Sequence, residues 1–164
     1  MHPQPLPIQP GQESVWDYPR PPRLERVEKP VQILFGGVLI VDSPWCFRVL
    51  ETSHPPVYYI SREFIAPGSL APAAGSSFCE WKGTAAYFDV LADGAKAERA
   101  AWTYPAPTAS FAAIAGAIAF YAQAMDSCTL GGETVKPQPG GFYGGWITND
   151  VVGPFKGEPG SLGW

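Results

Sequence analysis

The residue best suited to proton chemistry is His54, because imidazole is the one side chain whose ordinary titration falls near neutral pH. The only other histidine, His2, lies at the N-terminus. His54 stands in the run Glu51-Thr-Ser-His-Pro-Pro56. Pro55 disfavours helical backbone at His54, and Pro56 stiffens the same loop. A rigid loop holding an imidazole beside Glu51, Thr52 and Ser53 is how a general base is presented and oriented. The same residues also suit a plain turn, in which Ser53 or Thr52 caps main-chain amides and His54 packs on Tyr58 or Tyr59.

A second concentration of reactive types is Cys79-Glu-Trp-Lys-Gly83. If the strand runs on to Gly83, Glu80 and Lys82 share a face, since residues two apart point the same way. They would then make an acid/base couple with shifted pKa values, or an ion pair that closes a hairpin end. If Lys82-Gly83 is the turn, Lys82 projects from the corner instead. Cys79 falls on the face opposite Glu80, beside Trp81, and reads as core. The candidate catalytic residues are therefore His54, Glu51, Glu80 and Lys82.

Tyr and Trp are abundant. Much of the set Trp16, Tyr58, Tyr59, Trp81, Tyr87, Trp102, Tyr104, Tyr121, Phe142, Tyr143 and Trp146 must be core. The surplus suits a ligand pocket with apolar walls and a few hydroxyl and indole donors. We take Tyr59, Tyr87, Trp102, Tyr143 and Trp146 as its walls. Arg20, held by Pro21-Pro22, is either an anion contact at the rim or a surface residue. Gly140-Gly141 and Gly144-Gly145 would let Phe142-Tyr143 approach closely, as a lid or as a structural clasp.

Eighteen glycines and nineteen prolines in 164 residues favour many short strands over long helices. Val31–Phe35 and Val38–Val41 flank Gly36-Gly37, a two-residue hairpin signal. Phe47–Glu51 follows, with Phe47, Val49 and Glu51 on one face and Arg48 with Leu50 on the other. Val57–Ile60 is a further strand, and 66–76 reads as a flexible loop. Phe78–Trp81 and Ala85–Leu91 form a hairpin turning at Lys82-Gly83. After a corner at Asp93-Gly94, Arg99–Tyr104 is the next strand. A helical turn is expected over 109–115 and a strand over 117–122. The reading is a single mainly β domain over 13–164, a small tent- or barrel-like set of antiparallel strands. Wrapping segments lie at 13–30 and 131–164, and a flexible Pro-rich lead at 1–12. Eight of the nineteen prolines fall in residues 1–30.

A net charge of −4 and a pI near 5.1 exclude a phosphate-backbone binder, which needs a basic footprint. Three cysteines without a C-x-x-C pair make a poor disulfide framework and suit a reducing compartment. The N-terminus lacks a basic segment followed by an apolar run, and Phe111–Ala122 is too short to span a bilayer. A cytoplasmic protein with neither nucleic acid nor membrane as partner is expected. Exposed β edges in so small a domain make a homodimer an open option.

Residues ETSHPPVYYI, CEWKGTAAYFDV, AAWTYP, IAFY and GGFYGGWITNDVVGPFKGEPGSLGW resemble the domain-of-unknown-function family number 427. The resemblance runs from Glu13 to Trp164 and implies a β-tent fold, two sheets pinched around a concavity. It implies no catalytic residues. The family sometimes carries a nucleotidyltransferase-like label, but the chain has no G-x-x-x-x-G-K-[ST] and no G-x-G-x-x-G. Zinc-bearing β-tent relatives hold metal on C-x-x-C-G knuckles. Here Lys82 occupies the second thiolate position, and an ammonium does not ligate a cation. Neither a metal nor a cofactor is expected.

Three functions fit these residues. The first is a cofactor-independent enzyme using acid/base chemistry on a small, anionic organic molecule. His54 would be acid or base, Glu51 or Glu80 would orient it, and Lys82 or Arg20 would hold the anionic group. The second is a non-catalytic binder using the same aromatic cup. The third is an interaction module whose Pro-rich N-terminus docks on a partner.

Overall fold

Strands in this chain are delimited by turn chemistry. At Gly36-Gly37 both residues hold positive φ, 58° and 75°, which an L side chain resists and a tight hairpin requires. The computed structural model describes residues 3–164, so the first two residues of the Pro-rich lead lie outside it. In chain order the strands are β1 (Glu13–Ser14), β2 (Arg23–Val27), β3 (Val31–Phe35), β4 (Val38–Ser43) and β5 (Cys46–Leu50). They continue with β6 (Val57–Tyr59), β7 (Leu70–Cys79), β8 (Gly83–Ala92), β9 (Ala95–Thr103) and β10 (Ile118–Phe120). The last are β11 (Ser127–Leu130), β12 (Glu133–Thr134), β13 (Lys136–Pro137), β14 (Trp146–Ile147) and β15 (Val151–Val152). Helical structure among the described residues is confined to short 3-10 turns, the longest at Ala109–Ile114.

The fold is mainly β. One four-stranded sheet runs β10-β9-β8-β7, a second β12-β11-β3-β4, and a three-stranded sheet β2-β5-β6. The three-stranded sheet joins the first through Ile60 and Ile118, which exchange two main-chain hydrogen bonds of 2.8 Å. Among the described residues the strands do not close into a barrel. Ile33, Ile40, Ile60, Ile118 and Phe120 are fully buried in the largest core cluster. No helix among the described residues is long and apolar enough to cross a membrane.

The hairpins at Gly36-Gly37 and Asp93-Gly94 stand where the turn residues place them, as do the 3-10 turn near 109 and the strand after it. The loop expected over 66–76 is a correction, because Leu70 onward belongs to β7. Ala, Pro, Gly and Ser have little strand preference of their own, so pairing with β8 decides the conformation. β7 is an edge strand, where Pro72 sacrifices no ladder bond on its open side. The ladder breaks between Ala73 and Ser76, and the Arg99 guanidinium donates to the Ala74 carbonyl there.

Both chain ends fold back on the sheets. β1 pairs in parallel with β15, and β2 is a full sheet member within the wrapping segment at 13–30. Arg48, on the face of β5 away from Val49, donates two bonds to Glu13, 3.0 and 3.1 Å, and one to Glu25. Those bonds hold the Glu13 carboxyl below its ordinary range, against the opposing effect of burial. Trp16 donates its indole N–H to the Pro154 carbonyl at 2.9 Å, tying the N-terminal segment to the tail.

Candidate functional site

Strand alternation places Val49 and Glu51 on one side of β5 and its continuation, Ala85 and Tyr87 on one side of β8, and Trp102 and Tyr104 on one side of β9 and its continuation. These sides face one another across a cavity of about 440 Å³. Tyr59, Tyr121 and Tyr143 complete its aromatic walls, and Cys79 and Ser77 contribute from β7. Phe78 and Phe142 form the mouth and are 76% and 75% exposed. Burial raises the phenol pKa values of Tyr59, Tyr104 and Tyr121, so these hydroxyls stay protonated donors.

The polar groups come from the turn after β5. Ser53 is fully buried with φ 73°, its N–H bonded to the Val15 carbonyl and its carbonyl to the Lys156 N–H. Both chain ends therefore clamp the turn that carries Glu51 and His54. Arg20 Nε lies 3.4 Å from Glu51 Oε2, and its guanidinium also donates to the Thr52 carbonyl at 3.0 Å. His54 Nε2 lies 3.7 Å from the same Glu51 oxygen, and its ring meets Tyr143 edge-on at 4.8 Å. Burial, then the charges of Arg20, Lys156 and Lys82, pushes the imidazole down to about 4. His54 is thus neutral at pH 7, and its contact with Glu51 is not an ion pair there.

Lys82 stands at the corner rather than in a strand. Its ammonium lies 5.6 Å from the Tyr104 ring centroid and takes part in no ion pair among the described residues. Lys156 is buried and donates to the main-chain oxygens of Ser161 and Leu162 at 2.6 and 2.8 Å. That fastens the final turn, so that Trp164 reaches the cavity wall and meets Trp16 edge-on at 5.5 Å.

Of the residues singled out from sequence, Arg20, Glu51, His54, Tyr59, Lys82, Tyr87, Trp102 and Tyr143 share this one cavity. Glu80 does not line it, so it is not placed to act on a ligand there. β7 ends at Cys79, so Glu80 sits in the turn and shares no strand face with Lys82. Trp146 is also a correction. It is 1% exposed, stacks on Tyr58 at 5.3 Å and donates its indole N–H to the Phe120 carbonyl, which makes it core. Cys79 packs against a core cluster, as its neighbour Trp81 does, and in addition lines the cavity.

Two wall residues had no sequence signal. Gln138 is 2% exposed and contacts His54 from 84 positions away. Lys156 reaches the cavity only because the tail folds back. Two glycines shape the wall between them. A Cβ on Gly144 would overlap the Trp102 ring, and one on Gly145 would stand 2.5 Å from the Pro55 carbonyl oxygen. Among the described residues no three His, Cys, Asp or Glu side chains gather in a way that could hold a metal ion.

A family model described as "Domain of unknown function (DUF427)" matches residues 23–131. Glu51, His54 and Lys82 lie inside the match, while Arg20, Gln138 and Lys156 lie outside it. No curated protein matches the chain. Because the family model spans well over half of the sequence, the chain belongs to the DUF427 family.

Proposed function

We propose that the cavity takes a small organic anion and carries out cofactor-independent acid/base chemistry on it. The observation that carries this reading is the charge of the walls. The chain as a whole is acidic, yet its cavity gathers Arg20, Lys82 and Lys156 against one carboxylate among the described residues, Glu51. Glu51 is engaged by Arg20 and Lys156 by main-chain oxygens, while Lys82 has only the Tyr104 ring against it and no ion pair or hydrogen bond from its ammonium among the described residues. An anionic group at Lys82 would place the body of the ligand against Tyr104, Trp102 and Tyr121 and its reacting end near His54 and Glu51.

The aromatic walls also favour a second reading, a binder that uses the same cup without turnover. The two readings share the ligand and differ at Glu51, which a binder does not need as a proton acceptor. Three free thiols fit a reducing compartment, so the reading is of a cytoplasmic activity.

The test is a thermal-shift screen with a panel of aryl and alkyl carboxylates and the matching primary amides. An acid at a hundred times its Kd stabilises by about 2.7 kcal/mol, and its amide should do far less. Equal stabilisation by acids and amides, or none by either, would remove the charge argument.

A further inference from the structure

The hydrogen bonds of Gln138 determine which nitrogen of His54 carries the proton. Gln138 Oε1 accepts the Gly145 main-chain N–H at 3.0 Å, and Gln138 Nε2 donates to the Lys156 carbonyl at 2.9 Å. Turning the amide over would set oxygen against oxygen and N–H against N–H at a residue 2% exposed, leaving two buried groups unpaired. Main-chain atoms therefore fix the amide. Its remaining N–H points at His54 Nδ1, 3.0 Å away. A neutral imidazole has one donor and one acceptor nitrogen, so Nδ1 must accept and the proton must sit on Nε2. That N–H faces the Glu51 carboxylate across 3.7 Å.

We propose that Gln138 is a positioning residue that locks His54 as the Nε2–H tautomer, which makes His54 the hydrogen-bond donor and Glu51 the proton acceptor of the site. This rests on the acid/base reading above and divides its roles. In the step it implies, an acidic C–H or O–H bond of the ligand breaks and its proton forms an O–H bond to Glu51. The electron pair stays on the ligand, and the ligand oxygen that gains charge accepts a hydrogen bond from His54 Nε2–H. One negative charge passes from Glu51 to the ligand, and the site's net charge is unchanged. The ligand class narrows accordingly to molecules with a carbonyl or carboxylate oxygen beside the acidic position.

The test is nitrogen NMR of the free protein labelled with 15N-histidine at pH 7.5, with His54 identified by the signals lost in His54→Gln. The expected result is a protonated Nε2 and an unprotonated Nδ1 in a single tautomer. A protonated Nδ1, or fast exchange between tautomers, would overturn the proposal. Gln138→Glu keeps the acceptor for Gly145, gives up the bond to the Lys156 carbonyl and places a carboxylate against Nδ1, so Nδ1 should become protonated. An unprotonated Nδ1 in that variant would show that Gln138 does not select the tautomer. The readout needs no ligand. A locked Nε2–H tautomer in a protein that binds no anion would therefore refute the proposed function and leave the role of Gln138 standing.

Discussion

His54 Nε2 and Glu51 Oε2 stand 3.7 Å apart across a turn closed by the His54 N–H and the Glu51 carbonyl at 3.1 Å. A carboxylate beside an imidazole would ordinarily favour the charged ring. Here burial and three cations outweigh it, so the ring stays neutral. The turn carries strain at Ser53 and is clamped from both chain ends, so the relationship is built into the fold.

The first prediction is a stability profile in pH. In the unfolded chain His54 takes up a proton near pH 6.5, whereas in the folded protein it does so only at about 4. Its contribution is therefore complete above pH 6.5 and is lost as pH falls from 6.5 through about 4. Between pH 7.5 and pH 5 this costs about 2 kcal/mol. Denaturant unfolding at the two pH values should show that loss in the natural protein and little of it in His54→Gln. Equal losses in both would assign the dependence to other groups.

The second concerns the glycine wall. Gly144→Ala drives a methyl into the Trp102 ring, which is the far wall of the cavity and has little room to retreat. We expect a loss of roughly 1–3 kcal/mol in urea unfolding, together with a change in tryptophan fluorescence. Gly163→Ala, where a Cβ meets nothing within 4 Å, is the matched control and should change neither.

Local turn chemistry made the hairpins at Gly36-Gly37 and Asp93-Gly94 legible from sequence, because positive φ is a demand of two adjacent residues. The alternation of β5, with Val49 and Glu51 on the cavity side, was legible for the same local reason. Leu70–Ser76 was not, since its strand character comes from β8 alone. A turn starting at Glu80 rather than Lys82 removed Glu80 from the site and brought Cys79 into the wall. Gln138 and Lys156 were out of reach because the tail that carries them meets the site only in the fold, at the His54 ring and the Ser53 carbonyl. A glutamine in Lys-Pro-Gln-Pro-Gly-Gly reads only as a loop.

The third prediction follows from Cys79. Burial pushes the thiols of Cys46 and Cys128 up to about 12, which keeps them protonated and inert. Cys79 is half-buried in the cavity wall. A colourimetric thiol reagent should therefore label one thiol in the native protein and three after denaturation. Cys79→Ser should abolish the native labelling, and a ligand seated in the cavity should slow it. Prompt reaction of two or three thiols in the native state would contradict this packing.

The most direct measurement of the account is calorimetric titration of the best-stabilising carboxylate into the natural protein, Lys82→Met and Glu51→Gln, with conversion of the ligand followed by mass spectrometry. Removing the ammonium should weaken binding at least tenfold, about 1.4 kcal/mol or more. Glu51→Gln should still bind the carboxylate and should lose its conversion. Unchanged affinity in Lys82→Met, or undiminished conversion in Glu51→Gln, would contradict the assignment of anion and proton to these two residues.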